Sequence, residues 1–148
     1  MGLYLRMLQP DEDRSLPLFS GAEVQQLLDI YADYYPKMGF TPPWVAYLII
    51  RDDVVVGTGS FTSKLVNQSV EIAYWTFPAY EGEGIASFAC RSLMDIAFKA
   101  DPDVRITAKT APEKNASTRI LEKHGFNYQS VVQDHEIGDA WLWEYESA

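Results

Sequence analysis

Apolar positions recur along the chain with two spacings, which separate helices from strands. Spacing of three and four residues predicts helices over 21–34, 84–100 and 116–124. Shorter β-branched and aromatic runs predict strands over 3–8, 44–50, 54–61, 70–76, 104–109, 126–133 and 141–145. The order is strand, helix, three strands, helix, strand, helix and two strands, which predicts a single α/β domain over residues 1–148.

The predicted helix ends carry residues that typically cap or stop helices. Ser20, followed three residues later by Glu23, predicts a capping box at the start of the first helix. Pro36 is expected to end that helix, because proline lacks the N–H donor that a helix interior needs. Gly125 stands at the C′ position of the third helix, where a left-handed conformation is common.

The strand at 70–76, the helix at 84–100 and the strand at 104–109 form one predicted crossover unit. Such a connection is right-handed and joins parallel neighbours. The short connection at Arg51–Asp53 predicts a hairpin, and Gly57 and Gly59 predict a bulge or a close backbone approach in its second strand. The expected sheet is therefore mixed and mostly antiparallel, with a central parallel strand pair flanked by helices.

The charge balance limits the partners that the chain can bind. Its 21 Asp and Glu residues outnumber its 12 Lys and Arg residues, which gives a net charge of −9. A role in nucleic-acid binding is disfavoured, because such proteins carry a basic surface. The acidity favours solubility and tolerates a cationic substrate, whereas a polyanionic cofactor would have to be held by local backbone amides.

Cysteine, histidine and hydropathy patterns set further limits. The one cysteine, Cys90, excludes an intrachain disulfide, and its place beside an apolar helix stripe predicts a buried thiol. His124 and His135 lack metal-ligand spacing, so we expect no metal site. The chain shows no signal-peptide core and no apolar run long enough to span a bilayer. We therefore expect a cytoplasmic enzyme or binding protein that does not associate with membranes.

The segment Tyr80–Ala86 joins a predicted strand to a predicted helix through Gly82 and Gly84. Glycines there let the backbone approach a ligand, and the first amides of the helix have no partner within the helix. Helix starts of this kind bind phosphate groups. A tight turn that uses glycine explains the local sequence equally well, so the loop alone leaves both interpretations open.

The element order, this loop and a second motif together resemble the GNAT superfamily of N-acetyltransferases over essentially the whole chain. In that family the loop runs Gln or Arg, two variable residues, Gly, one variable residue, and Gly or Ala; here the sequence from Glu81 to Ala86 is EGEGIA. The resemblance implies that the loop amides hold the pyrophosphate of acetyl-coenzyme A. Glu81 and Glu83 add negative charge where the family is neutral or basic. If they face the phosphates, the coenzyme affinity should be weaker and more salt-dependent.

The second motif, from Pro112 to Phe126, resembles relatives of the ribosomal-protein acetyltransferase type. Its end, LEKHGF, matches their pattern of Leu-Glu-Lys, one variable residue, Gly and Phe, and Ser117 stands at their serine. Their asparagine three residues earlier is Lys114 here, and Asn115 stands one place later. Which of these two residues contacts the cofactor is left open. An amphipathic helix with a glycine cap is the alternative explanation of the LEKHGF run.

The resemblance implies a set of residues around acetyl-coenzyme A, drawn from the strand before the glycine loop, the loop itself and the third helix. These residues are Trp75, Thr76, Phe77, Glu81, Gly82, Glu83, Gly84, Ile85, Ala86, Asn115 and Ser117. A backbone amide near Tyr74–Phe77 is expected to polarise the thioester carbonyl. Pro78 is expected to end this strand and to splay it from its neighbour.

Acetyl transfer to an amine needs a base for the amine and an acid for the leaving thiolate. Glu71 is the candidate base, directly or through water, and a solvated strand carboxylate is the alternative. Ser117 is the candidate acid, and a hydroxyl that caps the helix start is the alternative. Many relatives use a tyrosine further along this helix, but that place is Leu121 here.

An aromatic and acidic cluster lies in the segment where the family often builds its acceptor pocket. Its candidate substrate-binding residues, with Asp33 and Phe40 nearby, are Tyr31, Tyr34, Tyr35 and Trp44. Packing beneath a loop is the alternative for each of them. The implied acceptor is a small-molecule amine or a protein or peptide N-terminus.

The implied reaction is direct attack of an amine on acetyl-coenzyme A in a ternary complex. A non-catalytic acyl-coenzyme A binding or regulatory module on the same fold is the alternative function. A homodimer is left open, because Trp141 and Trp143 can pack inside the domain or against a partner.

Overall fold

The computed structural model describes residues 2–146, which form seven strands and three α-helices. The strands are β1 (Leu3–Met7), β2 (Ala46–Arg51), β3 (Val54–Phe61), β4 (Ser69–Thr76), β5 (Arg105–Thr110), β6 (Phe126–Asp134) and β7 (Gly138–Tyr145). The helices are α1 (Ala22–Met38), α2 (Ile85–Ala100) and α3 (Ala116–Lys123).

The strands form one sheet in the order β1-β2-β3-β4-β5-β7-β6. All neighbours pair antiparallel except β4 and β5, which pair in parallel from Ser69 opposite Arg105 to Ile72 opposite Ala108. Helix α2 makes the crossover between these two strands. The expected mixed sheet with a central parallel pair is therefore confirmed.

The predicted hairpin between β2 and β3 is confirmed by its turn. Asp52 and Asp53 have φ angles of 51° and 64°, which suit the two-residue turn of a right-twisted hairpin. The expected close approach occurs at Gly57, where a Cβ atom would lie 2.5 Å from the Trp75 carbonyl oxygen. The pairing of β2 with β3 shifts its register beside this glycine.

The predicted start of α1 is wrong by one residue. The helix has Gly21 in the N-cap position, and no side chain caps it. Its first main-chain bond runs from the Gln25 N–H to the Gly21 carbonyl oxygen at 3.0 Å. Ser20 therefore lies outside the helix and forms no capping box with Glu23.

The predicted stop of α1 at Pro36 is also wrong, because the helix continues to Met38. Pro36 removes only one N–H donor, and it does so in the last turn. The turn is closed when the Gly39 N–H donates to the Tyr35 carbonyl oxygen at 2.7 Å. By contrast, Gly125 beyond α3 has a φ of 91°, as its predicted C′ position requires.

Helices pack on both faces of the sheet. On one face α2 crosses β3 at Gly59, where a Cβ atom would lie 3.3 Å from the Leu93 side chain. On the other face the buried Tyr35 ties α1 to the strands. Its hydroxyl donates to the Leu8 carbonyl oxygen at 2.9 Å and accepts from the Ala46 N–H at 3.1 Å. These two hydrogen bonds of the Tyr35 hydroxyl fix α1 against β2.

The aromatic strand β7 packs mainly inside the domain. Trp143 is buried, and its indole N–H donates to Thr110 Oγ1 at 3.0 Å. Within residues 2–146 no helix is long and apolar enough to cross a membrane. The same residues include no group of three or more His, Cys, Asp or Glu side chains that could hold a metal ion.

Candidate active site

The two parallel strands separate at one end of the sheet, and the gap between them organises the site. The pairing of β4 with β5 ends at Ile72 and Ala108. Beyond that point β4 continues beside β3 to Thr76, whereas β5 continues beside β7 to Thr110. The chain then leaves β4 through a 3-10 turn that begins at Pro78. The strand end and the splay expected near Pro78 are thus present.

Main-chain N–H groups of β4 point into this gap. Alternate amides of a strand face opposite edges, and the Phe77 N–H donates towards β3, to the Val56 carbonyl oxygen at 3.0 Å. The N–H groups of Tyr74 and Thr76 therefore face β5, where the pairing that would engage them has ended. Two such donors can polarise a carbonyl oxygen placed between the strands.

Two cavities meet at Tyr74 and Ser117. A small one of about 80 Å³ lies in the gap and is also lined by Ala73 and Lys109. A larger one of about 520 Å³ extends from the gap to the glycine loop. Its wall contains most of the expected cofactor residues, namely Trp75, Thr76, Glu81, Gly82, Gly84, Ile85, Ala86 and Ser117.

The glycine loop presents unpaired amides to the larger cavity. Gly82 and Gly84 have φ angles of 79° and 81°, a left-handed conformation that glycine adopts without strain. The first main-chain bond of α2 runs from the Phe88 N–H to the Gly84 carbonyl oxygen at 3.0 Å. In the described part of the chain, the N–H groups from Gly82 to Ser87 have no main-chain acceptor. Free amides at the start of a helix can bind an anion, and the positive end of the helix dipole strengthens such binding.

The two loop glutamates differ in direction. Glu81 lines the larger cavity. Glu83 does not; its carboxylate accepts a hydrogen bond from Arg51 Nη1 at 2.6 Å. Only one of the two charges that the sequence places on this loop therefore faces the cavity.

Thr76 and Phe77 have different environments although they are neighbours. Thr76 lines the larger cavity, and its Oγ1 is buried without a hydrogen-bond partner among the described residues. Phe77 is buried, and its N–H is already bonded to Val56. Thr76 is thus available to a ligand, whereas Phe77 supports the strand by packing against Trp75 at a ring distance of 5.1 Å.

The start of α3 resolves what the two polar residues before Ser117 do. Asn115 is the N-cap: its Oδ1 accepts from the Thr118 N–H at 3.1 Å, and Thr118 Oγ1 accepts from the Asn115 N–H at 2.9 Å. Lys114 pairs with Glu122 at 3.2 Å. Neither residue lines the larger cavity. Asn115 therefore orients the helix turn that carries Ser117.

Tyr74 brings a second hydroxyl to this place, which sequence reasoning missed. Its OH lies 3.5 Å from the Ser117 carbonyl oxygen, and the ring lines both cavities. Burial raises the pKa of this phenol well above its ordinary value. The group therefore stays protonated and acts as a hydrogen-bond donor. The sequence did offer a signal: Tyr74 follows Ile72 by two residues and so lies on the same face of β4.

Glu71 lies on the opposite face of β4 from Tyr74, since successive strand residues alternate. Its carboxylate is 3.3 Å from Lys109 Nζ, which is also 3.7 Å from Asp134. The pKa of Asp134 is lowered, first by the hydrogen bond from the Glu136 N–H and in part by Lys109. Lys109 lines the small cavity. The charged cluster of Glu71, Lys109 and Asp134 therefore borders the gap from the face of the sheet opposite α3.

The candidate acceptor residues are divided between the surface of the site and the core. Tyr34 lies near Glu71 and donates to the Thr62 carbonyl oxygen. Tyr31 packs edge-on against Tyr34 with ring centroids 5.7 Å apart. Trp44 packs on a buried phenylalanine. Tyr35, in contrast, is 5% exposed with its hydroxyl fully engaged, so its position supports the packing alternative.

Three further residues were missed by sequence reasoning. Ser87 and Ile120 line the larger cavity, as does Tyr80, whose ring lies under the Arg51 guanidinium at 5.5 Å. The first two could be anticipated from their spacing within α2 and α3. The contact of Arg51 with the loop could not, because it joins residues far apart in the chain.

Cys90 is confirmed as a buried thiol. It is 0% exposed, and burial raises its pKa to about 12. The reactive thiolate form is therefore suppressed at neutral pH.

Comparison with known proteins places the chain in a family. The sequence profile described as "Acetyltransferase (GNAT) domain" matches residues 4–127. The chain is 32% identical over 93 residues to "Probable N-acetyltransferase YjcK" of Bacillus subtilis strain 168, with 61% of this chain and 51% of that protein covered. It is 25% identical over 97 residues to the ribosomal-protein-serine acetyltransferase of Escherichia coli K12, with 64% and 54% covered. The chain thus spans about half the length of these curated relatives.

A solved structure extends the likeness to the whole fold. RimL, a ribosomal L7/L12 alpha-N-protein acetyltransferase in complex with coenzyme A, matches with a TM-score of 0.68 at 17% identity. The match covers 97% of this chain and 93% of that one. At this identity the likeness shows the fold alone.

Proposed function

The chain belongs to the GNAT family of acetyltransferases, and from that membership we propose that it transfers an acetyl group from acetyl-coenzyme A to a primary amine. The observation that carries this proposal is the run of unpaired amides from Gly82 to Ser87 beside a cavity that leads to the β4–β5 gap. A phosphate site and a carbonyl-polarising site are thereby joined in one channel.

The residues present fit the coenzyme. The loop amides match a pyrophosphate, and the unpaired Thr76 Oγ1 is a polar atom that an elongated polar ligand would satisfy. A cavity of about 520 Å³ lies in the size range of small-molecule sites. When bound, acetyl-coenzyme A supplies a thioester whose carbonyl carbon is open to attack by an amine.

The chain's own groups divide the remaining work. The Tyr74 and Thr76 N–H groups would polarise a carbonyl oxygen in the gap. Glu71 would take a proton from the acceptor amine, directly or through water. Lys109 and Asp134 form the charged environment of Glu71 on this face of the sheet. The Ser117 hydroxyl would pass a proton to the departing sulfur while taking one from solvent in the cavity, so that no alkoxide remains. The Tyr74 hydroxyl would donate a hydrogen bond at the same place.

The acceptor enters from the face that carries Glu71, because the opposite face holds the coenzyme cavity. Tyr31, Tyr34 and Trp44 border that side and suit an amine with an apolar neighbour. The name of the E. coli relative, a ribosomal-protein-serine acetyltransferase, supports a protein as the acceptor class. We propose a protein or peptide N-terminus as the amine, with a small-molecule amine as the alternative. A cytoplasmic location and a homodimer stay predictions.

A non-catalytic acyl-coenzyme A binding module is the second candidate, favoured by Glu81 in the cavity wall. Titration with acetyl-coenzyme A, followed by thiol release across a panel of peptides, amino acids and amines, separates the two. We expect saturable binding and release of thiol with one acceptor class. Binding without release would favour the binding module, and no binding at millimolar ligand would refute both. Gly84→Glu, which places a carboxylate at the loop, should abolish binding.

A further inference from the structure

Arg51 reaches the glycine loop from the turn end of the β2–β3 hairpin. It ends β2, and its guanidinium holds the Glu83 carboxylate at 2.6 Å. The Arg51 side chain is 19% exposed, and that of Glu83 is 42% exposed. The pair is thus partly shielded from water, which distinguishes it from the exposed ion pairs on the helices.

Glu83 stands directly before Gly84, the N-cap of α2. A carboxylate at a helix start is attracted to the free amides of the first turn. Released from Arg51, Glu83 could therefore swing onto the amides from Gly82 to Ser87 and compete with a bound phosphate. Its negative charge would also repel that phosphate.

The same arginine contacts a second part of the cavity. Its guanidinium lies 5.5 Å from the centre of the Tyr80 ring, and Tyr80 lines the larger cavity. Cation–π contacts of this kind favour a fixed ring position. Arg51 thus holds the Glu83 carboxylate away from the loop amides, and it also holds the Tyr80 ring in place in the cavity wall.

We propose that Arg51 is a positioning residue of the coenzyme site, which neutralises Glu83 and keeps the loop amides free for the pyrophosphate. The proposal rests on the proposed function, since it concerns the same site. It explains how a loop with two glutamates can bind a polyanion in a chain with a net charge of −9. Arg51 touches neither the acetyl group nor the acceptor in this account.

The test compares acetyl-coenzyme A affinity by calorimetry for the wild type, Arg51→Met, Glu83→Gln and the double variant. Arg51→Met should weaken binding roughly three- to tenfold at low salt, and the loss should shrink at 0.5 M salt. The double variant should regain most of the lost affinity, which a purely structural role would not produce. Arg91→Met is the matched control: it also removes one arginine, but from the Asp95 pair on the exposed side of α2, and should leave the affinity unchanged.

The outcomes separate this inference from the proposed function. If the wild type shows no saturable binding, the proposed function fails and the inference fails with it. If the wild type binds and Arg51→Met binds equally well, only the inference is overturned, as it is if Glu83→Gln does not rescue Arg51→Met. Should Arg51→Met fail to fold in thermal unfolding, Glu83→Gln alone decides: binding at least as tight as the wild type supports the role, and weaker binding overturns it.

Discussion

Replacing Gly84 by alanine tests the glycine loop with a control built into the chain. Gly84 has a φ of 81°, and a Cβ atom there would meet nothing within 4 Å. Gly138, the first residue of β7 after the β6–β7 turn, has a φ of 77° and equally open surroundings. Alanine at either position therefore causes the same kind of backbone strain and no clash, but only Gly84 lines the larger cavity.

The stability cost should be similar for both variants. A left-handed conformation costs a residue other than glycine about 1–2 kcal/mol. The lower entropy of the unfolded alanine chain adds back about 0.4–1 kcal/mol. We expect a net loss of about 1 kcal/mol, which lowers the melting temperature of a chain of this size by about 2–4 °C.

The coenzyme affinity should differ. The new methyl group of Gly84→Ala would project from the loop proposed to hold the pyrophosphate. We therefore expect acetyl-coenzyme A to bind roughly tenfold more weakly, equivalent to about 1.4 kcal/mol. Gly138→Ala should bind like the wild type. Calorimetry and thermal unfolding of both variants provide the measurements. Equal affinities in the two variants would refute the assignment of the loop as the coenzyme site.

Three other changes test separate parts of the account. Asn115→Ala should lower the free energy of unfolding by about 1 kcal/mol in urea titrations, since it removes the cap of α3; an unchanged midpoint would contradict the cap. Glu71→Gln should lower kcat/KM about 100-fold without changing the acetyl-coenzyme A Kd; equal activity would exclude Glu71 as the base. Cys90 should resist an aromatic disulfide reagent at pH 8 until the protein unfolds. The pKa of Cys90 is raised from 9.0 to about 12. The buried, protonated thiol therefore contributes to folding stability below pH 9, and this contribution is lost as the pH rises towards 12. Rapid reaction of the folded protein at pH 8 would contradict the burial of the thiol.

Local patterns predicted most of the fold. The apolar periodicity of α2 marks it as the crossover between two strands. Crossovers of this kind are right-handed and join parallel strands, so the pairing of β4 with β5 follows directly. The ends of α1 were harder. Gly21 instead of Ser20 occupies the N-cap. The hydrogen bonds of Tyr35 to Leu8, just after β1, and to Ala46 in β2 hold the last part of the helix in place. The local sequence does not show such tertiary contacts.

The candidate site was predictable where one segment supplies it. The loop from Glu81 to Ala86 and the serine at the start of α3 carry their own patterns. The direction of Glu83 was not predictable, because Arg51 comes from a hairpin 32 positions earlier in the chain. Tyr74 was missed although its alternation with Ile72 is visible in the sequence, because the sequence does not show that this face of β4 borders the gap.

A titration of ¹⁵N-labelled protein with acetyl-coenzyme A, followed by amide NMR shifts, tests the central claim most directly. We expect saturable shifts that are largest for the N–H groups from Gly82 to Ser87, with further shifts at Tyr74 and Thr76 in the gap. The amides of Val24 and Val55, which line the second sizeable cavity of about 340 Å³ between the start of α1 and β3, should show none. Absence of saturable shifts, or shifts centred on that second cavity, would contradict the account.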